Sequence, residues 1–310
     1  MFAYLNLLKL LQVVILTLPF TVMAAEAELS IATVQAEQSS ISSTATPSIT
    51  MRADQVPKEE KPNRFSIAGQ ISQNRNLIDF QDGTREDSTE TVLLPSYSTK
   101  LGTFSAKIIY ADIQTNSEDT LNGFQDTTLT YSYPALDWDW KSPYILVLSP
   151  GFTLVAPTSR ISQKQTQLQT ATIFSLSLGV RPDQILSTEH TWGFLLGLTA
   201  GRNFYKFQED VNGKVLNQYS SNQTIALSYG YSYWAVVIEF INRSRWTFNN
   251  NIRQSFIANQ EIAYAINENF AVAVGHTNEA SAMKANAQDS NLNFIDEKTS
   301  TVFATLGVSY

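Results

Sequence analysis

Large apolar and small polar residues alternate along most of the chain from about residue 64 to its end. In residues 192–201 the even positions run from Trp192 to Ala200 and are apolar, whereas the odd positions are mostly Gly and Thr. The same alternation recurs in residues 173–180 and 224–233. Because successive side chains of a strand point to opposite faces, this period of two predicts strands whose two faces have different surroundings.

Twelve segments with this pattern can be counted, and each is long enough for the roughly 9 to 11 residues that a tilted strand needs to cross a membrane. The predicted strands are residues 64–74, 89–99, 102–112, 124–134, 143–156, 168–180, 190–205, 221–232, 234–247, 253–266, 269–279 and 299–310.

The polar faces of these segments carry Gly, Ser and Thr instead of the many charges that a soluble sheet would expose. Lipid on one side and a crowded lumen on the other explain this composition better. Short connections, such as residues 100–102 and 267–269, alternate with long polar ones, such as residues 157–167 and 280–298. The sequence therefore predicts an all-β fold, a single transmembrane antiparallel up-and-down β-barrel of about 12 strands over residues 63–310.

Two segments precede the predicted barrel. Residues 1–24 combine a short region containing Lys9, an apolar run and small residues, which is typical of a cleaved signal peptide. Residues 25–62 are rich in Ser, Thr, Gln, Ala and Glu without apolar periodicity. Such a segment cannot bury enough surface to offset its ordering entropy, so a disordered periplasmic extension is predicted.

Composition excludes several kinds of site. The chain of 310 residues has no Cys and two His, so neither a disulfide framework nor a thiolate or multi-histidine metal site can form. We expect no cofactor and no metal. The formal net charge of -7 argues against nucleic acid as a partner.

The last strand ends on an aromatic residue, with Tyr310, Val308 and Leu306 on one face. This resembles the closing strand of Gram-negative outer-membrane β-barrels, whose C-terminal aromatic residue is read by the barrel assembly machinery. Members of that family more often end in Phe. The resemblance implies a location in the cell outer membrane. It also implies the assembly machinery, outer-membrane lipids and lipopolysaccharide as partners.

Two short stretches are similar to a family of barrels encoded with aromatic-degradation pathways. Residues 123–131 resemble the start of one of its strands, although Tyr131 comes early, and residues 154–159 resemble a strand exit with Ser159 in place of Gly. That resemblance implies uptake of a small-molecule solute.

Charged residues at inward positions of the predicted strands are the candidate lumen residues. Both signs occur, and such charges either pair into a network that fills the lumen or select ions in a pore. The residues are Lys107, Asp126, Glu239, Arg243, Arg245, Arg253 and Glu261. A hairpin turning near residues 249–251 further predicts that Glu239 lies opposite Glu261. Either the pKa of one carboxyl is then raised, or Arg243, or Lys107 from across the lumen, bridges the two carboxylates. The bridge by Arg243 is favoured, because an inward Arg can pair bidentately.

These observations favour a narrow, porin-like channel without enzymatic activity. A structural or surface-binding barrel with a plugged lumen is one alternative, and it would bind lipopolysaccharide through four basic residues near the external rim: Arg160, Lys164, Arg202 and Lys206. An outer-membrane lipid hydrolase is another. It would use His276, but Asn278 stands where the phospholipase pattern has Ser.

Overall fold

Twelve antiparallel strands close into a ring in the computed structural model, which describes residues 65–77, 86–115, 122–139, 144–182, 190–283, 290–296 and 299–310. The strands of the ring are β1 (Phe65–Asn76), β2 (Glu86–Thr99), β3 (Gly102–Thr115), β5 (Thr127–Ser132), β7 (Tyr144–Ala156), β8 (Leu168–Pro182), β9 (His190–Tyr205), β10 (Asn217–Tyr231), β11 (Trp234–Thr247), β12 (Ile252–Ala265), β13 (Phe270–Ser281) and β14 (Ser300–Ser309).

Three shorter elements lie outside the ring. β4 (Gly123–Phe124) pairs with β3, and β6 (Leu136–Asp139) pairs with β7. The five-residue helix α1 (Arg160–Lys164) lies in the connection between β7 and β8. No helix of the described residues is long and apolar enough to cross a membrane.

The ring closes between its first and last strands. Ile71 of β1 lies opposite Leu306 of β14, and β1 pairs with β2 on its other side. Beyond the last strand, the amide of Tyr310 donates to the carbonyl of Ile67 at 2.8 Å, and the amide of Ile67 donates back at 3.0 Å. Each strand of the ring therefore pairs with a neighbour on both sides, so the sheet does not end in an open edge strand, which lipid would not tolerate.

Alternation of side chains gives the barrel an apolar outer surface. On β8, Phe174 and Leu176 point outward and are 64% and 45% exposed, whereas Ser175 and Ser177 point to the other face. The outer faces of neighbouring strands expose Leu154, Leu198, Ile225, Leu227 and Ile238 in the same way. So much exposed apolar surface is stable in contact with lipid chains. The predicted fold is confirmed.

Short turns lie at one end of the barrel, together with the start of β1 and the end of β14. Between β10 and β11 the turn consists of Ser232 and Tyr233, and Ser232 has a left-handed backbone with φ of 52°. Between β12 and β13 the side-chain oxygen of Asn267 accepts hydrogen bonds from the amides of Asn269 and Phe270. By the usual rule for bacterial barrels, this end faces the periplasm.

The predicted fourth strand, residues 124–134, is interrupted. Its pairing with β3 shifts between Phe124 and Thr127, and the segment β5 ends at Ser132, just before Pro134. Proline lacks the amide hydrogen that the ladder needs, so pairing resumes only in β6. The predicted leader and arm, residues 1–24 and 25–62, lie outside the described residues.

Candidate functional site in the barrel interior

The inner face of the barrel differs between its two sides. On β7 to β10 it carries mainly small residues, most of them partly exposed, and we call this side the open wall. Its central residues are Gly151, Ser175, Ser177, Gly197, Thr199 and Thr224. The hydroxyl groups of neighbouring strands lie close to its glycines. A Cβ atom on Gly151, for example, would lie 2.5 Å from the Ser175 Oγ. Glycine at these places keeps the wall thin.

Most of the remaining inner face, on β11 to β14 and β1 to β3, carries more deeply buried side chains, and we call it the packed wall. The Phe303 ring is 6% exposed and lies over Gly275, where a Cβ atom would meet its Cζ at 2.2 Å. Ser72 is 1% exposed and shares a hydrogen bond of 2.9 Å with the Thr305 hydroxyl. In a ring of twelve, β8 lies six strands from β14, so the open wall faces the middle of the packed wall.

The packed wall holds two carboxylates close to each other. Glu239 lies opposite Asn259 and forms a hydrogen bond with it, while Glu261 lies opposite Val237. The prediction that Glu239 and Glu261 are directly opposed is therefore wrong by two residues. The reason is the turn, where the Thr247 hydroxyl accepts from the Asn251 amide at 3.1 Å and centres the hairpin one residue earlier than predicted. The two carboxylates are diagonal neighbours on one face and interact electrostatically.

The predicted bridge by Arg243 is also wrong. Arg243 is 4% exposed, and its Nη1 donates to the Glu279 Oε1 at 2.6 Å across β12. Neither carboxylate oxygen of Glu261 has a hydrogen-bond partner, although this side chain is only 3% exposed. Glu279 was missed because it is the last residue of the predicted strand. Its parity, shared with Gly275 and Thr277, is the signal that identifies it as inward.

Lys107 lies on the opposite side of the ring. β3 and β11 are six strands apart, and both Lys107 and Glu239 lie five residues into their strands from the end with the short turns. The two charges therefore lie at about the same depth on opposite sides of the ring. Glu90 on β2, another inward residue that sequence reasoning missed, interacts electrostatically with Lys107.

Asp126 lies between β4 and β5 and anchors helix α1. Its Oδ1 accepts from the Ser159 amide at 2.9 Å, and its Oδ2 accepts from the Ser162 hydroxyl at 2.5 Å. Both serines are buried. The connection between β9 and β10 contacts the end of helix α1, since the Val211 amide donates to the Gln165 carbonyl at 3.2 Å.

Basic residues gather near the same end of the barrel. Arg245 and Arg253 lie directly opposite each other on the inner face. Tyr205, half-buried at the end of β9, is close enough to Arg245 and Asp126 to interact electrostatically with both. Six of the seven predicted charged residues thus lie on the inner face. The seventh, Asp126, lies between β4 and β5 at the end of the barrel that carries helix α1. That they line a solute path stays a prediction.

The residues that a lipid hydrolase or a lipopolysaccharide-binding barrel would use do not lie among these inward charges. His276 points to the outer face, opposite Gln260 and Val302, and neither of its ring nitrogens has a hydrogen-bond partner. Asn278 is fully buried, and it donates to the Asn293 carbonyl at 2.6 Å and accepts from the Thr299 hydroxyl at 2.5 Å. Those bonds hold Asn293 and Thr299 against β13, which is a structural use of Asn278.

Of the basic rim residues, Arg202 points outward, with its guanidinium 5.0 Å from the centre of the Phe204 ring. Lys206 lies 5.3 Å from the Phe207 ring centre, and Arg160 and Lys164 are exposed on α1. That these residues bind lipopolysaccharide stays a prediction.

The predicted assembly signal lies at the closure of the ring. Val308 and Leu306 pair with Gly69 and Ile71 of β1, and the Tyr310 side chain is 83% exposed. An exposed aromatic side chain beside the closing strand is accessible to another protein before the barrel enters the membrane. Recognition of Tyr310 by the assembly machinery stays a prediction.

Comparison with known proteins shows the fold. No family model and no curated protein sequence matches the chain. Among solved structures, it is similar to the COG4313 outer membrane channel from Pseudomonas putida F1, with a TM-score of 0.53, 9% identity, and coverage of 82% of this chain and 100% of the other. A structure named KdgM porin gives a TM-score of 0.41 with 11% identity, covering 78% of this chain and 99% of the other.

The resemblance to barrels encoded with aromatic-degradation pathways is not shown by these comparisons. The closed ring of twelve strands, its apolar outer surface and the likeness to the Pseudomonas barrel agree with one another. The chain has the fold of a Gram-negative outer-membrane β-barrel, as the sequence predicted, and the predicted location in the cell outer membrane is confirmed.

Proposed function

We propose that the barrel is a porin-like channel that lets small polar solutes and ions cross the outer membrane. The observation that carries the proposal is the open wall, whose Gly, Ser and Thr residues are partly exposed toward the interior. Small side chains on four consecutive strands leave room beside the packed wall, and their hydroxyls suit a water-filled path.

Charges on opposite sides of the ring support the same function. Lys107 on one side and Glu239 with Glu261 on the other lie at similar depth, so they set up an electric field across the lumen. Rings and pairs of charge at a narrow point are a means by which pores discriminate between ions. The barrel from Pseudomonas putida F1 that shares the fold is itself named an outer membrane channel, which favours transport for this chain as well.

Planar-bilayer recording tests the proposal directly. Full-length protein whose folding is verified by heat-modifiable migration should give discrete conductance steps in KCl. Protein that was heat-denatured before addition is the control and should give none. Folded protein that inserts into the bilayer but never conducts would show instead that the barrel is a closed scaffold.

A further inference from the structure

The packed wall contains a buried acidic group whose charge nothing in the described part of the chain balances. Glu261 is 3% exposed, and both of its carboxylate oxygens lack a hydrogen-bond partner. Buried polar atoms are nearly always paired, because an ionised carboxylate loses much hydration energy when it is buried alone. The Glu261 carboxyl is therefore satisfied by something other than a protein side chain, such as a proton, a water molecule or an ion.

The protein's own cations are engaged elsewhere. Arg243, the buried guanidinium on the neighbouring strand, forms its ion pair with Glu279 at 2.6 Å. Lys107 lies on β3, five strands around the ring from Glu261 on β12, and Glu90 is its acidic neighbour. The charge of Glu261 is therefore compensated by a proton or by a small cation from solution.

A second carboxylate faces the same place. Glu239 is the diagonal cross-strand neighbour of Glu261 and interacts with it electrostatically. Its orientation is fixed by Asn259, whose side-chain oxygen already accepts from the Thr277 hydroxyl at 2.5 Å and whose amide group is left to donate to Glu239. Two carboxylates on one face, one of them held in place, create a local negative potential that attracts cations.

We propose that Glu239 and Glu261 form a weak binding site for a monovalent alkali cation, Na⁺ or K⁺, on the inner face of the barrel. Within the described ranges no group of three or more His, Asp or Glu residues could hold a metal ion. Two carboxylates fit a monovalent ion that binds loosely and leaves again, as conduction requires. This inference deepens the proposed channel function and rests on it for the path by which the ion arrives.

The first test measures ion preference. Reversal potentials in a KCl gradient should show that Glu261→Gln and Glu239→Gln each lower the ratio of K⁺ to Cl⁻ permeability by about threefold, because a fixed charge near a narrow path controls which ion enters. Glu268→Gln is the matched control. It removes the same charge from an exposed turn between β12 and β13, and should leave the ratio unchanged.

A second measurement does not depend on conduction. Unfolding midpoints of the wild-type protein are compared in KCl and in N-methylglucamine chloride at equal ionic strength, so that screening is the same. A ligand that binds only the folded state raises the midpoint, so K⁺ should stabilise the wild type and Glu268→Gln but not Glu261→Gln.

The outcomes separate the two proposals. A wild-type protein that is stabilised by K⁺ but never conducts would overturn the channel and keep the cation site. A conducting wild type with no K⁺-specific stabilisation, and with unchanged selectivity in both glutamine variants, would overturn the site and show that Glu261 carries only a proton.

Discussion

The inner face of β7 to β10 carries mainly Gly, Ser and Thr between the outward Leu and Phe residues, whereas the inner face of β11 to β14 carries Glu, Arg, Asn and Phe. Both walls are built from strands of similar length, and both have the same apolar outer surface. Ser175 and Thr199 on the open wall are partly exposed, but Ser72 and Thr305 on the packed wall are almost fully buried. Side-chain size and hydrogen bonding on one face thus decide where the barrel is filled.

This difference assigns separate tasks to the two walls. The packed wall stabilises the barrel through contacts such as the ion pair between the buried Arg243 and the half-buried Glu279. The open wall contributes little packing and leaves space for water and solutes. Apart from the proposed cation site at Glu239 and Glu261, substitutions on the packed wall should therefore change folding and stability, whereas substitutions on the open wall should change conductance.

The largest effect is expected at the place where the packed wall closes on itself. Tyr310 pairs through its backbone with Ile67, but its side chain is 83% exposed and packs little. Tyr310→Asp should therefore refold normally in detergent. In cells it should reach the outer membrane in several-fold lower amount, because the signal for assembly is altered. Equal amounts of heat-modifiable protein in membranes of the wild type and the variant would contradict this prediction.

Removing the buried cation of the packed wall should cost the most stability. The Arg243 side chain is 5% exposed and the Glu279 side chain is 35% exposed, so Arg243→Leu leaves a half-buried carboxylate without its partner. The cost should lie between that of an exposed pair and that of a buried pair, at about 2 kcal/mol. Arg75→Leu is the control, since the Arg75 to Asp87 pair is exposed and such pairs contribute less than about 1 kcal/mol. Unfolding by guanidinium chloride in lipid vesicles measures the free energy of unfolding of both variants. A loss for Arg243→Leu no greater than for Arg75→Leu would show that the pair is not structural.

Adding one methyl group should distinguish tight from loose packing. A Cβ atom at Gly275 would lie 2.6 Å from the backbone oxygen of Gln260 and still closer to the Phe303 ring. Gly275→Ala should therefore lose about 2 kcal/mol through overpacking. At Gly69, on the outer face, the nearest atom would be 3.9 Å away, so Gly69→Ala serves as the control. Equal unfolding midpoints for the two variants would contradict the tight contact at Gly275.

Hydroxyl deletions should give the smallest difference. Ser72→Ala removes the hydrogen bond to Thr305 in a fully buried place and should cost about 1 kcal/mol. Ser175→Ala, on the open wall, should change the stability by less than about 0.5 kcal/mol. The same unfolding experiment tests both, and a greater loss at Ser175 would reverse the assignment of the two walls.

Most of the fold could be predicted from the sequence, because the alternation of side chains is a local signal repeated in every strand. The predicted bounds of β3, β9 and β11 agree with the structure to within three residues. The pairing of Glu239 with Glu261 could not be predicted in the same way. Register depends on where a turn is centred, and the hydrogen bonds between Thr247 and Asn251 moved that centre by one residue.

The interior was predicted less completely than the strands. Parity identified Lys107, Arg243 and Glu261 as inward, but partners such as Glu279 lie across an intervening strand. Sequence spacing carries no information on contacts between strands that are not neighbours. The anchoring of helix α1 by Asp126 was missed for the same reason, since 33 residues separate Asp126 from Ser159.

Filling the open wall tests the central claim most directly. Ser177→Trp places a large ring on the inner face, and Leu176→Trp places the same ring on the outer face, one residue away. Single-channel conductance in planar bilayers should fall by at least about twofold for Ser177→Trp, because a narrowed path carries fewer ions. Leu176→Trp should conduct like the wild type. Equal conductance in all three proteins would contradict the claim that the open wall borders the path through the barrel.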